Sequence, residues 1–214
     1  GIYRDIVKRQ KKSQNHLTRT IALYLYGRSF FLQQKPVAAP HREAVDYFLS
    51  QAREHWLDLA HRQSQAHLAI ALKRFGDEVV PVAIMRSIKQ RSVHDRELGR
   101  FWREQEHSWW WYRAPIETQA MMIEAFDEVM GDVAAVEECK VWLLKQKQTQ
   151  AWKTSKSTAD AVYALLLRGS ELLASDALVQ ITLGGQRVQP AGVEAGTGFF
   201  EQRFAGPPIT PQQA

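Results

Sequence analysis

The chain has 214 residues, of which 45% are apolar and 24% charged, with a formal net charge of +5; this balance excludes wholesale disorder and is enough to bury a core. The cations are scattered among 23 acidic residues, and the one dense group, Lys8 to Lys12, reads as a solvated helix end, so no nucleic-acid partner is expected. No run nears the roughly 20 apolar residues of a membrane span, and the lone Cys139 excludes an internal disulfide and any multi-cysteine zinc site.

In chain order, Ile2 to Val7 is expected to be helical from its first turn, and Gly1 stands where a Met would start a protein, so the chain reads as a piece of something longer. Leu17 to Leu32 and Tyr47 to Leu59 repeat apolar residues at three- and four-residue steps, the period of a one-sided helix. Four segments share a further likeness: LTRTIALYLYG, QAHLAIALKRFG, TQAMMIEAFDEVMG and TADAVYALLLRG, ending at Gly27, Gly76, Gly131 and Gly169. Each sets alanine among larger apolar residues and is expected to stop at its glycine. The spacings of 49, 55 and 38 residues leave room for a second helix each time, which predicts a degenerate helical-hairpin repeat.

The intervening helices, His41 to Ala60, Glu78 to Val93 and Val133 to Gln148, carry more charge. Small-residue helices inside and amphipathic ones outside would make two concentric layers, with the four repeat segments side by side and parallel in the inner one. Asp77 before Glu78 and the run Ser157-Thr158-Ala159-Asp160 supply start signals, the latter with capping-box spacing, and Pro81 must then lie in a first turn. Cys139, edged by Val136 and Trp142, is expected to be a buried structural thiol. After Gly169 the period changes: Leu178 to Leu183 alternates as a strand, Gly184-Gly185 makes a turn and Gln186-Arg187-Val188 returns, a β-hairpin. Gly198 to Phe200 with Arg203-Phe204 is one more candidate strand.

The order of several motifs matters as well. Tyr24-Leu25-Tyr26-Gly27-Arg28 is followed by Gly99-Arg100-Phe101-Trp102, then Ile116-Glu117-Thr118-Gln119-Ala120, then Trp142 to Thr154 (WLLKQKQTQAWKT) and Ser157 to Leu166 (STADAVYALL). Over about residues 14 to 183 this series resembles the later half of the thioester-bearing helical domain of bacterial alpha-2-macroglobulins. The resemblance implies a partial α/α toroid of helical hairpins over residues 1–175 and, over 176–214, an incomplete strand segment of an adjoining β-sandwich. It implies a structural module of a protease-trapping inhibitor in the periplasm or cell envelope. Its partners would be other domains of the same parent chain and, through the whole protein, target proteases, with membrane contact only through a lipid anchor elsewhere. It implies no catalysis by this chain and no cofactor. No thioester residue carries over, because Cys139 stands in Glu137-Glu138-Cys139-Lys140 with no glutamine three residues on.

Other chemistry is read against plainer alternatives. Trp102, His107, Trp109, Trp110 and Trp111 form the candidate ligand or interface surface, stacking on a sugar or an aromatic ligand, or else packing inward as a loop on one rim. His61 and His67, six residues apart, diverge by about 120° on a helix and suit a metal poorly. Glu117 and Glu124 share a helical face, either as the acid pair of an α/α-toroid glycosidase or as an exposed stripe beside Asp127 and Glu128. Asp160 reads as a first-turn carboxylate facing the helix dipole. The alternatives to the trapping module are accordingly an enzyme on the same architecture, glycosidase- or cyclase-like, and a carbohydrate-binding module built on the Trp cluster.

Overall fold

A computed structural model of the chain describes residues 1–9, 11–103, 114–149, 152, 154–167, 181–183 and 186–188. The chain divides into two compact units, Gly1–Gly169 and Ser170–Ala214, and what is described of the first is mainly helical.

Helix α1 (Ile2–Lys8) places Tyr3 against Tyr47 and Phe48, with ring centroids 5.4 and 6.5 Å away, so its aromatic residue anchors it to α3. Helix α2 (Arg19–Ser29) starts where the Thr18 hydroxyl accepts from the Ile21 N–H. It runs through Gly27 instead of stopping there. Ser29, expected beyond the end, is buried, donates to the Tyr26 carbonyl and receives a bond from Arg74, and these tertiary ties hold the last turn in helical form. Helix α3 (Ala39–His55) has Pro40 in its first turn and passes through a short 3-10 turn, Trp56–Asp58.

Helix α4 (Arg62–Arg74) is the centre of this unit: every residue from Ser64 to Leu72 is buried. It closes as predicted at Gly76, which sits at φ +93°, with Gly76 N–H on the Lys73 carbonyl and Asp77 N–H on that of Leu72, the paired bonds of a Schellman end. Helix α5 (Val80–Gln90) carries Pro81 in its first turn, and Asp77 caps it by accepting from the Val79 and Val80 N–H groups, both at 3.0 Å. Next comes a hairpin that the periodicity does not foretell, β1 (Val93–Asp95) antiparallel to β2 (Gly99–Phe101), with Val93 opposite Phe101. The Asp95 carboxylate makes its turn by accepting from the Glu97 and Leu98 N–H groups.

Helix α6 (Pro115–Ala125) continues in a π-helical turn, Phe126–Met130, and ends at Gly131, φ +60°. Helix α7 (Val133–Thr149) buries Ala135, Val136, Cys139, Lys140, Trp142 and Leu143. The expected face of Val136, Cys139 and Trp142 is the buried one, whereas Val141 and Leu144 are exposed. Lys140 goes inside because its ammonium reaches the Leu167 carbonyl at 2.9 Å and Glu137 at 3.0 Å. Helix α8 (Ser155–Leu166) starts three residues earlier than the capping-box reading places it, with Thr154 accepting from the Ser157 N–H at 3.0 Å. Asp160 thereby moves out of the first turn and pairs with Lys156 one turn back.

The four glycine-terminated segments become neighbours: α2 packs on α4, α4 on α6 and α6 on α8. Helices α5 and α7 back α4 and α6, and α3 lies against α2 and α4. These four run in one sense. Glu117 and Ser157, each the third residue of its helix, touch, while Tyr26 and Arg74, in the last turns of α2 and α4, both reach Glu124 in the last turn of α6. Close approach is allowed by small residues: Ala22, Ala66, Ala69, Ala71, Ala125, Ala161 and Ala164 are fully buried. In the second unit, β3 (Ile181–Leu183) pairs antiparallel with β4 (Gln186–Val188), Ile181 opposite Val188, the expected hairpin.

Candidate functional site: a groove across the inner helices

Each inner helix turns a few residues toward one open groove of ≈ 500 Å³. Helix α2 contributes Leu23 and Tyr26, α4 Gln63 and His67, α6 Glu117, Ala120, Met121 and Glu124, and α8 Lys156, Ala159, Asp160 and Tyr163. The alternating steps of three and four follow from the helical period, and the alanines leave the open space.

At the C-terminal end the polar groups are mutually satisfied. Arg74 is held in a fork by Glu128, Nε to Oε1 at 2.7 Å and Nη2 to Oε2 at 2.6 Å, and lies over the Phe30 ring at 4.1 Å. The same guanidinium reaches Glu124 at 3.2 Å, and the Tyr26 hydroxyl donates to both Glu124 oxygens, at 2.8 and 2.9 Å. Since Glu128 holds Arg74 most closely, burial outweighs the help Glu124 receives, and its carboxyl sits above the ordinary range. Burial and the adjacent Glu124 also push the Tyr26 phenol upward.

The N-terminal end is less satisfied. His67 is 7% exposed, its ring stacks on that of Tyr26 with centroids 4.7 Å apart, and its Nδ1 is buried without a hydrogen-bond partner. Burial first, then the proximity of His61 and Lys156, lowers its pKa to about 4, so the imidazole is neutral at pH 7. Glu117 is 8% exposed and accepts from the Ser157 hydroxyl at 2.8 Å. His61 does other work: its Nδ1 takes the N-cap bond from the Ser64 N–H. Among the described residues no group of three His, Cys, Asp or Glu side chains is placed to hold a metal.

Glu117 and Glu124 do share a face, but it is the buried wall of the groove and not an exposed stripe. Of the groove's other lining groups, Tyr26 and Tyr163 fall inside quoted motifs without being singled out there, and His67 lies in a repeat segment outside them; the common three- and four-residue phase of the four repeats is the signal that marks all three. The surface expected of the tryptophans is corrected at Trp102. This residue is fully buried, donates its indole N–H to the Ile88 carbonyl at 3.0 Å and stacks on Phe126 at 6.3 Å, because the β1–β2 hairpin turns it inward. His107, Trp109, Trp110 and Trp111 lie outside the described residues. Cys139 is buried as expected, and burial raises its thiol pKa far above the ordinary range.

Compared with protein-family models, with curated proteins and with solved structures, the chain has no match.

Proposed function

We propose that this chain is a non-catalytic structural module of an alpha-2-macroglobulin-like, envelope-located protease trap, the later part of an α/α-toroid helical domain followed by strands of a β-sandwich. The observation that supports this reading is the side-by-side packing of the four repeat helices, three of which (α2, α6 and α8) carry motifs of the series that resembles that family's helical domain. In that role the inner layer is a rigid wall, and the trapping chemistry, bait and cage belong to the parent protein. The partners are the parent's other domains and, through them, captured proteases.

The isolated chain is then expected to leave the hydrolysis of a large protein substrate by trypsin, subtilisin and thermolysin unchanged. A parent protein from which residues 1–169 are deleted should lose trapping of all three. Stoichiometric inhibition of those unrelated proteases by the isolated chain, or full trapping by the deleted parent, would overturn the reading.

A second reading, an enzyme on the same architecture, draws on the groove, where Glu117 and Glu124 stand two turns apart on one helix. Glu124 is engaged by Arg74 and Tyr26, which suits a structural ion better than a proton donor. Hydrolysis of a panel of glycosides that disappears in Glu117→Gln would favour the enzyme over the scaffold.

A further inference from the structure

The groove is more than packing slack, and its two ends differ in one respect. Glu124 has Arg74 at 3.2 Å, and Asp160 has Lys156. Glu117, as buried as Glu124, accepts the Ser157 hydroxyl, and among the described residues no cation pairs with it. A carboxylate withdrawn from water without a counter-ion is costly, and a carboxylate offers more acceptor positions than one hydroxyl can fill. On the neighbouring helix His67 is more than nine-tenths buried, lines the same groove and leaves Nδ1 unpartnered. A half-used carboxylate therefore opens on a cavity that the buried His67 ring also lines.

A ligand matching the free acceptor positions of Glu117 should be positive and carry only donors. The guanidinium group does so with five N–H bonds in a planar fork that can span two acceptors, and it loses less hydration on entering a half-buried site than an ammonium does. Beyond Glu117 the groove is floored by Ala120 and Ala159 and walled by Met121 and Tyr163, an apolar stretch suited to an alkyl stem. The volume of ≈ 500 Å³ is within the range of sites for small molecules.

We propose that the N-terminal end of this groove binds an alkyl guanidinium, with the cation on the Glu117 carboxylate beside the His67 ring and its stem along Ala120 and Ala159. The site is independent of the protease-trap reading, since it uses only groups within the first unit. The cation is either a free small molecule or the arginine of a peptide, and the chemistry recognised is the same.

The test follows the amide NMR spectrum of the 214-residue chain during titration with butylguanidinium, with butylurea as its neutral near-isostere. Shifts should cluster at Gln63, His67, Glu117 and Ala159 with the cation and be absent with the urea. Glu117→Gln should weaken binding about tenfold or more, its fold being checked by thermal unfolding. Ala159 is exposed, so Ala159→Leu should fold normally, and by filling the groove it should also remove binding. Acetyl-Gly-Arg-Gly-amide distinguishes the sources: tighter binding than butylguanidinium points to a peptide, weaker binding to a free cation. Equal response to butylurea, no shift at millimolar butylguanidinium, or unchanged affinity in either variant would overturn the proposal.

Discussion

Gly99 meets α7 at the Glu138 carbonyl, one residue before the buried Cys139. A Cβ built on it would stand 2.1 Å from that carbonyl oxygen, and its φ is +77°. Only glycine satisfies both conditions, because the obstacle is backbone and cannot swing away. Gly99→Ala should therefore cost about 2–4 kcal/mol, read as a lower midpoint in urea unfolding. Around it Arg100 holds Glu138 at 2.7 Å, and Gln119 donates to the Arg100 and Cys139 carbonyls, so the strain of a shift would spread to α6.

His67 gives a second prediction at this scale. Its folded pKa is lowered, to about 4, so below its unfolded value of about 6.5 the unfolded chain binds the proton that the folded chain refuses. The stability that comes from keeping it neutral is present above about pH 6.5, falls as the pH drops from there toward 4, and amounts to roughly 3 kcal/mol across that window. Glu124 acts in the opposite direction. Its raised pKa costs stability at neutral pH, and acid relieves that cost. The His67→Phe variant, which keeps a ring against Tyr26, separates the two: thermal midpoints measured from pH 7 to pH 4.5 should fall less steeply in the variant than in the parent chain. Equal slopes would show that His67 does not govern the acid response.

At the scale of elements, helix starts prove to be local side-chain decisions. Thr18, His61 and Thr154 each accept from an N–H three residues on, and of these Thr154 sits at the start of α8, whose Ser157 in turn holds Glu117. Thr154→Ala should cost about 1 kcal/mol in chemical unfolding. It should also move the amide resonance of Glu117, since the first turn of α8 positions the Ser157 hydroxyl; an unperturbed Glu117 would mean that the cap and the groove are uncoupled. Starts were legible from the sequence to within a few residues. Faces were less so. In α7 Val136, Cys139 and Trp142 are buried as expected, but the exposed Val141 and Leu144 and the buried Lys140 depart from what hydrophobicity alone suggests, and the Leu167 carbonyl that receives Lys140 lies 27 residues away.

The chain divides into two compact units, and the described core of the first, Gly1–Gly169, runs from Ile6 to Ala164. A chain ending at Gly169 should thus keep its helical circular dichroism and unfold in one cooperative transition, with a thermal midpoint within a few degrees of the longer chain. Loss of cooperativity on truncation would mean that the first unit's stability depends on the second.

The sequence by itself determined the helical class, the four repeated segments, the stops at Gly76 and Gly131, the first-turn place of Pro81 and the β3–β4 hairpin. These rest on periodicity and on backbone chemistry confined to a few neighbouring residues, so they are written locally. Tertiary structure decided that α2 passes through Gly27, that Trp102 turns into the core, that Lys140 is buried, and that Glu117 and His67 open on one groove. Each of these depends on a partner far along the chain, such as the Ile88 carbonyl, the Leu167 carbonyl, Arg74 or Ser157. Where a side chain ends up is set by which distant group can satisfy it once water is gone, and no local period records that.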